Sequence, residues 1–198
     1  VNTLSWVIQK NYEEKINIFL DGINWRSVPY KKTGLNLSYE IKKIINAFEK
    51  SEKKTYIIGA YALGKSQRVI KLLRDIGYND TIFLHGSQVK ICDYYASQGI
   101  DLGKLEPVAH KKNKDFEGKI VIAPPSALKD KWSRRFSEPV ICYASGWMSI
   151  KQRAKQSLVE IPLIISDHCD WNELTATIKK CKTKTVWVTH GREDALVY

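Results

Sequence analysis

Two histidines near the end of the chain have neighbours suited to metal or acid–base chemistry. His168 follows the apolar run PLIIS and has Asp167 and Asp170 close by, and His190 follows the apolar run TVWVT. The segment between them, WNELTATIKKC, has apolar residues four and three apart, which predicts a helix. A strand–helix–strand unit within one sheet returns its second strand parallel to the first. We therefore expect both histidines at the carboxyl edge of one sheet, where α/β proteins bind ligands; the alternative is that each caps a helix or occupies a turn.

A second candidate for chemistry is the string GAYALGKS, which fits G-x-x-x-x-G-K-[ST] between a predicted strand and a predicted helix. Taken alone it indicates a nucleoside triphosphatase. Its interior lacks the extra small residues of most phosphate loops, and Asp167 is the one acidic residue at a strand end for magnesium. A broader interpretation is that Lys65, Ser66 and Arg68 bind any phosphate, including that of a nucleic-acid backbone. The structural alternative is a tight turn in which Gly64 needs a positive φ.

The composition indicates a globular protein with an anionic partner. The chain has 198 residues, of which 43% are hydrophobic, enough for one domain or one and a half small ones. A net charge of +11 and a pI near 9.4 favour a polyanion, although a solvated lysine-rich surface is the alternative. Cys92, Cys142, Cys169 and Cys181 form no CxxC pair and predict reduced thiols in a cytoplasmic protein. We expect no membrane segment, since apolar runs stay well below about 18 residues.

Apolar runs alternate with helical spacing along the chain. This pattern predicts an α/β fold with a parallel sheet covered on both faces. We predict strands in NIFLDG, TYIIGAYA, DTIFLHG, KIVIAPPSA and EPVICYASG, and helices in LSYEIKKIINAFEKSEKK, KSQRVIKLLRDIGY, QVKICDYYASQGI and SALKDKWSRRF. Residues 101–119 are polar and basic and are expected to form a connection without regular structure.

Several stretches together resemble one family. They run in the family's order: AYALGKSQR, FLHG, IAPPSALKDKWSRRF, YASGWMSIKQRAKQ, ISDHCDWNELTATIK and VWVTHGREDALV. The family is that of metallo-β-lactamase-fold nucleases with a β-CASP insertion, and within it the bacterial ligase-associated DNA exonucleases, with more distant similarity to mRNA 3′-end-processing factors. Jointly these stretches are more specific than the phosphate-loop string alone.

The resemblance implies a division of the chain. Residues 36–157 would form the parallel-sheet β-CASP-like cap. Residues 158–198 would return to the metallo-β-lactamase domain as the C-terminal strand–helix–strand part of its αββα fold. Residues 1–35 match poorly and would hold one lactamase-domain strand and a linker.

The resemblance also implies roles for individual residues. His168 falls on a motif histidine that donates to the scissile phosphate or the leaving group, and His190 on a ligand of one of two zinc ions. Asp21 is placed at an acidic catalytic position. The basic composition adds a predicted set of residues for nucleic-acid phosphates: Lys65, Ser66, Arg68, Arg134, Arg135 and Arg153.

The HxHxDH signature of the family is absent. The histidines are His85, His110, His168 and His190, and none lies two or four residues from another. A di-zinc centre needs both metals to clamp the attacking and leaving oxygens, so we expect this chain to supply a partial zinc site at most, as a fragment that is inactive alone.

The resulting hypothesis is a metal-dependent nucleic-acid phosphodiesterase resembling a DNA exonuclease. Its expected partners are nucleic acid, with DNA preferred to RNA, a separate chain carrying the HxHxDH half, and a DNA ligase. The alternatives are a non-catalytic nucleic-acid-binding module and, less favoured, a P-loop NTPase.

Overall fold

The computed structural model describes residues 6–10, 16–20, 37–51, 53–166, 171–182 and 185–188. These ranges contain an α/β fold, as predicted. Contacts divide the chain into two compact units, one of residues 35–166 and one of residues 1–34 with 167–198. The expected cap, 36–157, corresponds to the larger unit except at its end, since residues 158–166 also lie in that unit.

The helices and strands follow one another in a regular alternation through the larger unit. In chain order they are β1 (Trp6–Lys10), β2 (Ile16–Leu20), α1 (Leu37–Lys50), β3 (Tyr56–Gly59), α2 (Lys65–Asp75), β4 (Ile82–Leu84), α3 (Gly86–Ser97), β5 (Leu105–Pro107), β6 (Ile120–Ala123), β7 (Val140–Ala144), α4 (Lys151–Gln156), β8 (Ile161–Leu163), α5 (Trp171–Cys181) and β9 (Thr185–Val188).

The larger unit is built on a six-stranded, all-parallel sheet with the order β5-β4-β6-β3-β7-β8. Every residue of β3 and β6 is buried. Alternate residues of these strands belong to two separate hydrophobic clusters, one on each face of the sheet. The continuous apolar runs in the sequence thus reflect strands that are covered on both sides.

Helices cover one face of this sheet and short 3-10 segments cover the other. Ile41 and Ile44 of α1 and Leu73 of α2 pack with the first cluster. Phe116, in the 3-10 segment Asn113–Phe116, and Phe136 pack with the second. Their rings meet at a centroid distance of 5.0 Å in an edge-on arrangement, a favoured geometry for buried aromatic pairs.

Both outer strands of this sheet contain a proline, Pro107 in β5 and Pro162 in β8. Helix α1 also reaches the β8 side of the sheet. The buried carboxylate of Glu40 accepts a hydrogen bond of 2.8 Å from the Ile164 amide and pairs at 2.7 Å with Lys43. The Lys43 ammonium lies 3.5 Å from the Pro162 carbonyl oxygen. These contacts fix α1 against the chain that leaves β8.

The smaller unit contains a separate three-stranded sheet in the order β1-β2-β9, with β1 antiparallel and β9 parallel to β2. The predicted helix of residues 171–181 is confirmed as α5. However, β8 and β9 belong to different sheets, so the prediction that they form one strand–helix–strand unit is wrong. The rule for crossovers applies only within one sheet. It therefore gives no reason to place His168 near His190.

Two further predictions of local structure differ from the fold. The helix predicted from Ser126 to Phe136 is replaced by two 3-10 segments, Pro125–Leu128 and Lys131–Arg135. The Asp130 carboxylate accepts a 2.6 Å hydrogen bond from the Lys131 amide, so a new segment starts there instead of a continuous helix. Strand β5 lies in the connection of residues 101–119 where no strand was expected.

No helix in the described ranges combines the length and the apolar character needed to span a membrane.

Candidate nucleic-acid interface

The carboxyl edge of the six-stranded sheet is strongly basic. Because all six strands are parallel, the segments that follow them leave from one edge. These segments are residues 60–64, 85, 108–112, 124–136, 145–153 and 164–166. Their one acidic residue is Asp130, and their basic residues are Lys111, Lys112, Lys129, Lys131, Arg134, Arg135, Lys151 and Arg153.

The amino edge of the same sheet has the opposite balance. The segments that lead into the strands carry the acidic residues Asp80, Asp101, Glu117, Glu138 and Glu160, and the basic residues Lys53, Lys54, Lys104 and Lys119. One pair, Lys119 and Asp80, is joined by a 2.7 Å ion pair. Charge is therefore segregated between the two edges, and the positive potential of the larger unit is concentrated at the carboxyl edge.

Most cations at the carboxyl edge have no acidic partner nearby. Lys111 is the exception, since it pairs with Glu106 at 2.7 Å. No ion pair among the described residues neutralises Arg134 or Arg135, and both side chains are exposed. Lys151 is likewise exposed and makes no such pair. Unpaired cations on one edge are the arrangement expected of a surface that binds a polyanion.

Aromatic side chains are interleaved with these cations. The guanidinium of Arg153 lies 3.8 Å from the ring centroid of Trp147, within the range of a cation–π contact. Tyr61, which follows β3, is 54% exposed. Trp132, which follows β6, packs edge-on against His85 at a centroid distance of 4.8 Å. Cations combined with aromatic faces are typical of proteins that hold the backbone and stack the bases of nucleic acids.

The predicted phosphate ligands Lys65 and Ser66 are turned inward in this conformation. Lys65 is only 2% exposed, and its amide donates to the Leu63 carbonyl at 2.9 Å. The Ser66 amide donates to the Tyr61 carbonyl at 3.0 Å, and its hydroxyl donates to the same oxygen at 2.8 Å. In a phosphate loop such amides and side chains face the ligand. Their role as phosphate ligands stays a prediction that would require the loop to rearrange.

The two glycines of the string have structural reasons of their own. Gly64 precedes α2 with a φ of 78°, so the expected positive φ is confirmed. A Cβ on Gly59 would lie 2.5 Å from Cδ1 of Leu128, so the end of β3 packs closely against the segment that follows β6. The formal match to a nucleotide-binding motif is thus explained by backbone conformation and packing.

Gln67 holds this loop, and the sequence reasoning missed it. Its Oε1 accepts a 2.8 Å hydrogen bond from the Gly64 amide, and its Nε2 donates to the Ala62 carbonyl at 2.9 Å. A glutamine three residues after the residue that starts a helix is the spacing of a capping box, and that spacing was visible in the sequence.

The predicted arginines are distributed differently. Arg134, Arg135 and Arg153 lie at the carboxyl edge, as a shared binding surface requires. Arg68 lies on α2, and its guanidinium donates to the Ser166 carbonyl at 3.0 Å. Arg68 thereby ties α2 to the chain that leaves β8.

The predicted catalytic and zinc-binding residues Asp21, His168 and His190 lie outside the described residues. Within the described ranges, no cluster of three or more histidine, cysteine or acidic side chains is arranged to hold a metal ion. The described residues therefore do not by themselves provide a zinc centre, and zinc stays a prediction for the complete family site.

His85 is a further side chain at the carboxyl edge to which the sequence gave no role. Its Nδ1 accepts a 3.1 Å hydrogen bond from the Ser87 amide and so caps α3. Burial, and to a smaller extent the positive charge of Arg135, lower the pKa of the imidazole. The order His-Gly-Ser at the start of a predicted helix was the available signal for this cap.

Comparison with known proteins adds little to this geometry. No family model matches the sequence, and no curated protein matches it significantly. One solved structure that the fold resembles is the crystal structure of a protein of unknown function from Enterococcus faecalis V583, with a TM-score of 0.45 and 6% sequence identity. The match covers 92% of this chain and 54% of that one, so this chain spans about half of its length. A likeness of this degree supports no inference about function.

Proposed function

We propose that this chain binds nucleic acid along the carboxyl edge of its six-stranded sheet, as the binding part of a metal-dependent phosphodiesterase. The observation that carries the proposal is the segregation of charge in the larger unit. Exposed arginines without acidic partners lie at the carboxyl edge, whereas acidic residues are concentrated at the amino edge. A small acidic ligand would not need a basic surface spread over several loops, but a polyanion would.

Arg134, Arg135 and Arg153 suit phosphate recognition for a geometric reason. A guanidinium presents a planar fork of donors that matches two phosphate oxygens. Arg153 rests with its face on the Trp147 indole, so its donor edges remain directed away from the ring plane. Holding the side chain in this way reduces the conformational entropy that is lost when a phosphate binds.

The phosphodiesterase part of the proposal rests on the resemblance of the motifs. In it, His190 binds one zinc ion, His168 donates a proton to the scissile phosphate or leaving group, and Asp21 supplies an acidic group. A separate polypeptide with the HxHxDH signature supplies the remaining ligands. We further propose that DNA is preferred to RNA, that a DNA ligase is a partner, and that the protein is cytoplasmic.

Fluorescence anisotropy with a labelled single-stranded oligonucleotide tests the binding proposal. We expect Arg134→Gln combined with Arg135→Gln to weaken binding roughly tenfold and to reduce the slope of log K against log salt by about 1.5 to 2. The matched control is Lys53→Gln with Lys54→Gln, which removes the same charge from the amino edge and is expected to change binding less than about twofold. Equal losses in the two variants would show a nonspecific effect of net charge and reject the interface.

A nuclease assay separates the enzyme from the non-catalytic alternative. If the native chain binds oligonucleotide but neither retains zinc nor cleaves, even with an added chain carrying HxHxDH, then the non-catalytic module is the correct description. Cleavage that depends on the added chain and is lost in His168→Ala and His190→Ala would support the phosphodiesterase.

A further inference from the structure

We propose that His85 and Arg135 form a phosphate-binding site where β4 and β6 end. This inference rests on the proposed function, because it names which groups at the carboxyl edge contact the anion. No role was assigned to His85 by the sequence motifs, and the site is distinct from the predicted zinc-binding residues, which lie outside the described ranges.

The fold places His85 beside the segment that carries Arg135. His85 directly follows β4, and its backbone amide donates to the Ile122 carbonyl of β6 at 2.9 Å. Its ring packs edge-on against Trp132, which belongs to the same 3-10 segment as Arg135. Trp132 in turn packs on the buried Phe136 at 5.1 Å. The imidazole plane is thus held by a row of aromatic contacts that reaches the core.

The hydrogen bonds of the ring determine which nitrogen carries the proton. Nδ1 accepts from the Ser87 amide at 3.1 Å and lies 2.8 Å from the Ser87 hydroxyl. Because an amide can only donate, Nδ1 is unprotonated, and the neutral ring carries its proton on Nε2. Burial and Arg135 lower the pKa of His85, which keeps the ring neutral near pH 7.

The Nε2 proton is therefore a positioned donor with no acceptor. Within the part of the chain that the structure describes, Nε2 makes no hydrogen bond. The approach to this end of β4 is also open, since no atom lies within 4 Å of the place where a Cβ on Gly86 would stand. A half-buried donor that is fixed in direction and left unpaired is suited to a ligand that supplies an acceptor.

The neighbouring charge identifies the class of ligand. Arg135 is exposed, has no acidic partner among the residues described, and lies close enough to His85 to affect its pKa. A guanidinium fork and a neutral N–H together match an oxyanion with several oxygens, which is the chemistry of a phosphate group. The group is either an internal phosphodiester of a nucleic acid or a phosphomonoester at its end.

Two substitutions of His85 separate the proposed donor from the helix cap. In His85→Asn the side-chain oxygen takes the place of Nδ1, so the cap on Ser87 is kept while the Nε2 donor is lost. In His85→Gln the amide nitrogen reaches the place of Nε2, so the donor is kept and the cap is lost. The two variants therefore exchange the effects expected on binding and on stability.

We expect His85→Asn to weaken oligonucleotide binding roughly 5- to 20-fold with an unchanged melting temperature. His85→Gln is expected to bind within about twofold of the native protein and to melt at a lower temperature. In the Arg135→Gln background, His85→Asn should have a smaller effect, because the two groups bind one phosphate. Parallel assays with 5′-hydroxyl and 5′-phosphorylated oligonucleotides distinguish the sources: equal affinity assigns an internal phosphodiester, and tighter binding of the phosphorylated form assigns the terminal monoester.

Titration with inorganic phosphate, followed by the NMR signals of the His85 ring, makes the two proposals separable. A saturable shift that is lost in Arg135→Gln supports the site even if oligonucleotides do not bind, in which case only the proposed function fails. Oligonucleotide binding that is unaffected by His85→Asn, or the absence of any shift with phosphate, would overturn the site while leaving the proposed function standing.

Discussion

Arg74 offers the sharpest test of how the larger unit is held together. Its guanidinium donates hydrogen bonds to four backbone carbonyls: Leu102 at 3.0 Å, Tyr78 at 2.7 Å, Asp80 at 2.6 Å and Lys104 at 2.9 Å. The first and last acceptors lie in the segment that leads into β5, and the other two lie in the turn that leads into β4. One side chain at the end of α2 therefore fixes the entry of two strands.

The expected cost of Arg74→Ala follows from the exposure of these bonds. The bonds to Leu102 and Tyr78 are partly buried, whereas those to Asp80 and Lys104 are exposed and can be replaced by water. At about 1 to 2 kcal/mol for each partly buried bond to a charged donor, we expect a loss of about 2 to 4 kcal/mol. Lys71→Ala on the same helix is the matched control. Its exposed ion pair with Asp75 should contribute less than about 0.5 kcal/mol.

Gly103 provides an independent check on the same contact. It has a φ of 67°, and a Cβ there would lie 2.5 Å from Nε of Arg74. Gly103→Ala should therefore cost about 1 kcal/mol for the backbone conformation and about 1 to 2 kcal/mol for displacing the guanidinium. In the Arg74→Ala background only the first cost remains, so the two substitutions should be coupled by about 1 to 2 kcal/mol.

Urea unfolding followed by circular dichroism measures these free energies, and hydrogen exchange of peptides covering residues 76–84 and 100–107 shows where stability is lost. An Arg74→Ala variant as stable as the Lys71→Ala control would refute the role assigned to the four hydrogen bonds. Strict additivity of the Arg74 and Gly103 substitutions would refute the steric part of the reasoning.

Three further predictions concern the same unit. Glu40→Ala should lower the free energy of unfolding by about 2 to 3 kcal/mol because it leaves the Ile164 amide without its acceptor; Glu40→Gln, which keeps an acceptor, should cost less, and equal losses in urea unfolding would contradict this. Gly64→Ala should destabilise by about 1 to 2 kcal/mol through its positive φ, and ATP with magnesium should leave the melting temperature of the native chain unchanged; a nucleotide-dependent rise lost in the variant would restore the phosphate loop. Burial raises the pKa of Tyr78 to about 12, above about 10 in the unfolded chain. Deprotonation thus favours unfolding, and a contribution intact below pH 10 is lost between pH 10 and 12; thermal melts should show this loss in the native protein and not in Tyr78→Phe.

The six-stranded sheet was largely predictable because its central strands are buried on both faces. That environment requires continuous apolar sequence, which is visible in YIIG and IVIA without any knowledge of partners. Helices α1 and α2 were predictable for a related reason, since each buries one face and leaves polar residues outside. Strand β5 was missed because three residues ending in Pro107 carry no pattern of their own.

Membership of a sheet was not predictable from the local pattern. The sequence around β8, α5 and β9 looks the same whether the two strands pair within one sheet or belong to two, and they belong to two. The candidate interface shows the same limit. The charge of Arg134 and Arg135 indicated a binding surface, but their relation to His85 depends on the pairing of β4 with β6. The burial of Lys65 likewise depends on loop hydrogen bonds that its motif does not encode.

The prolines of the two outer strands affect how this protein meets other chains. An exposed strand edge invites another strand to pair with it, and a residue without an N–H cannot complete such a pairing. Pro107 stands at one border of the sheet and Pro162 at the other, where the Pro162 carbonyl oxygen already lies near the Lys43 ammonium. Growth of the sheet by strand exchange or self-association is thereby disfavoured at both borders. A partner must recognise this unit through side chains on its loops, which is where its unpaired arginines lie.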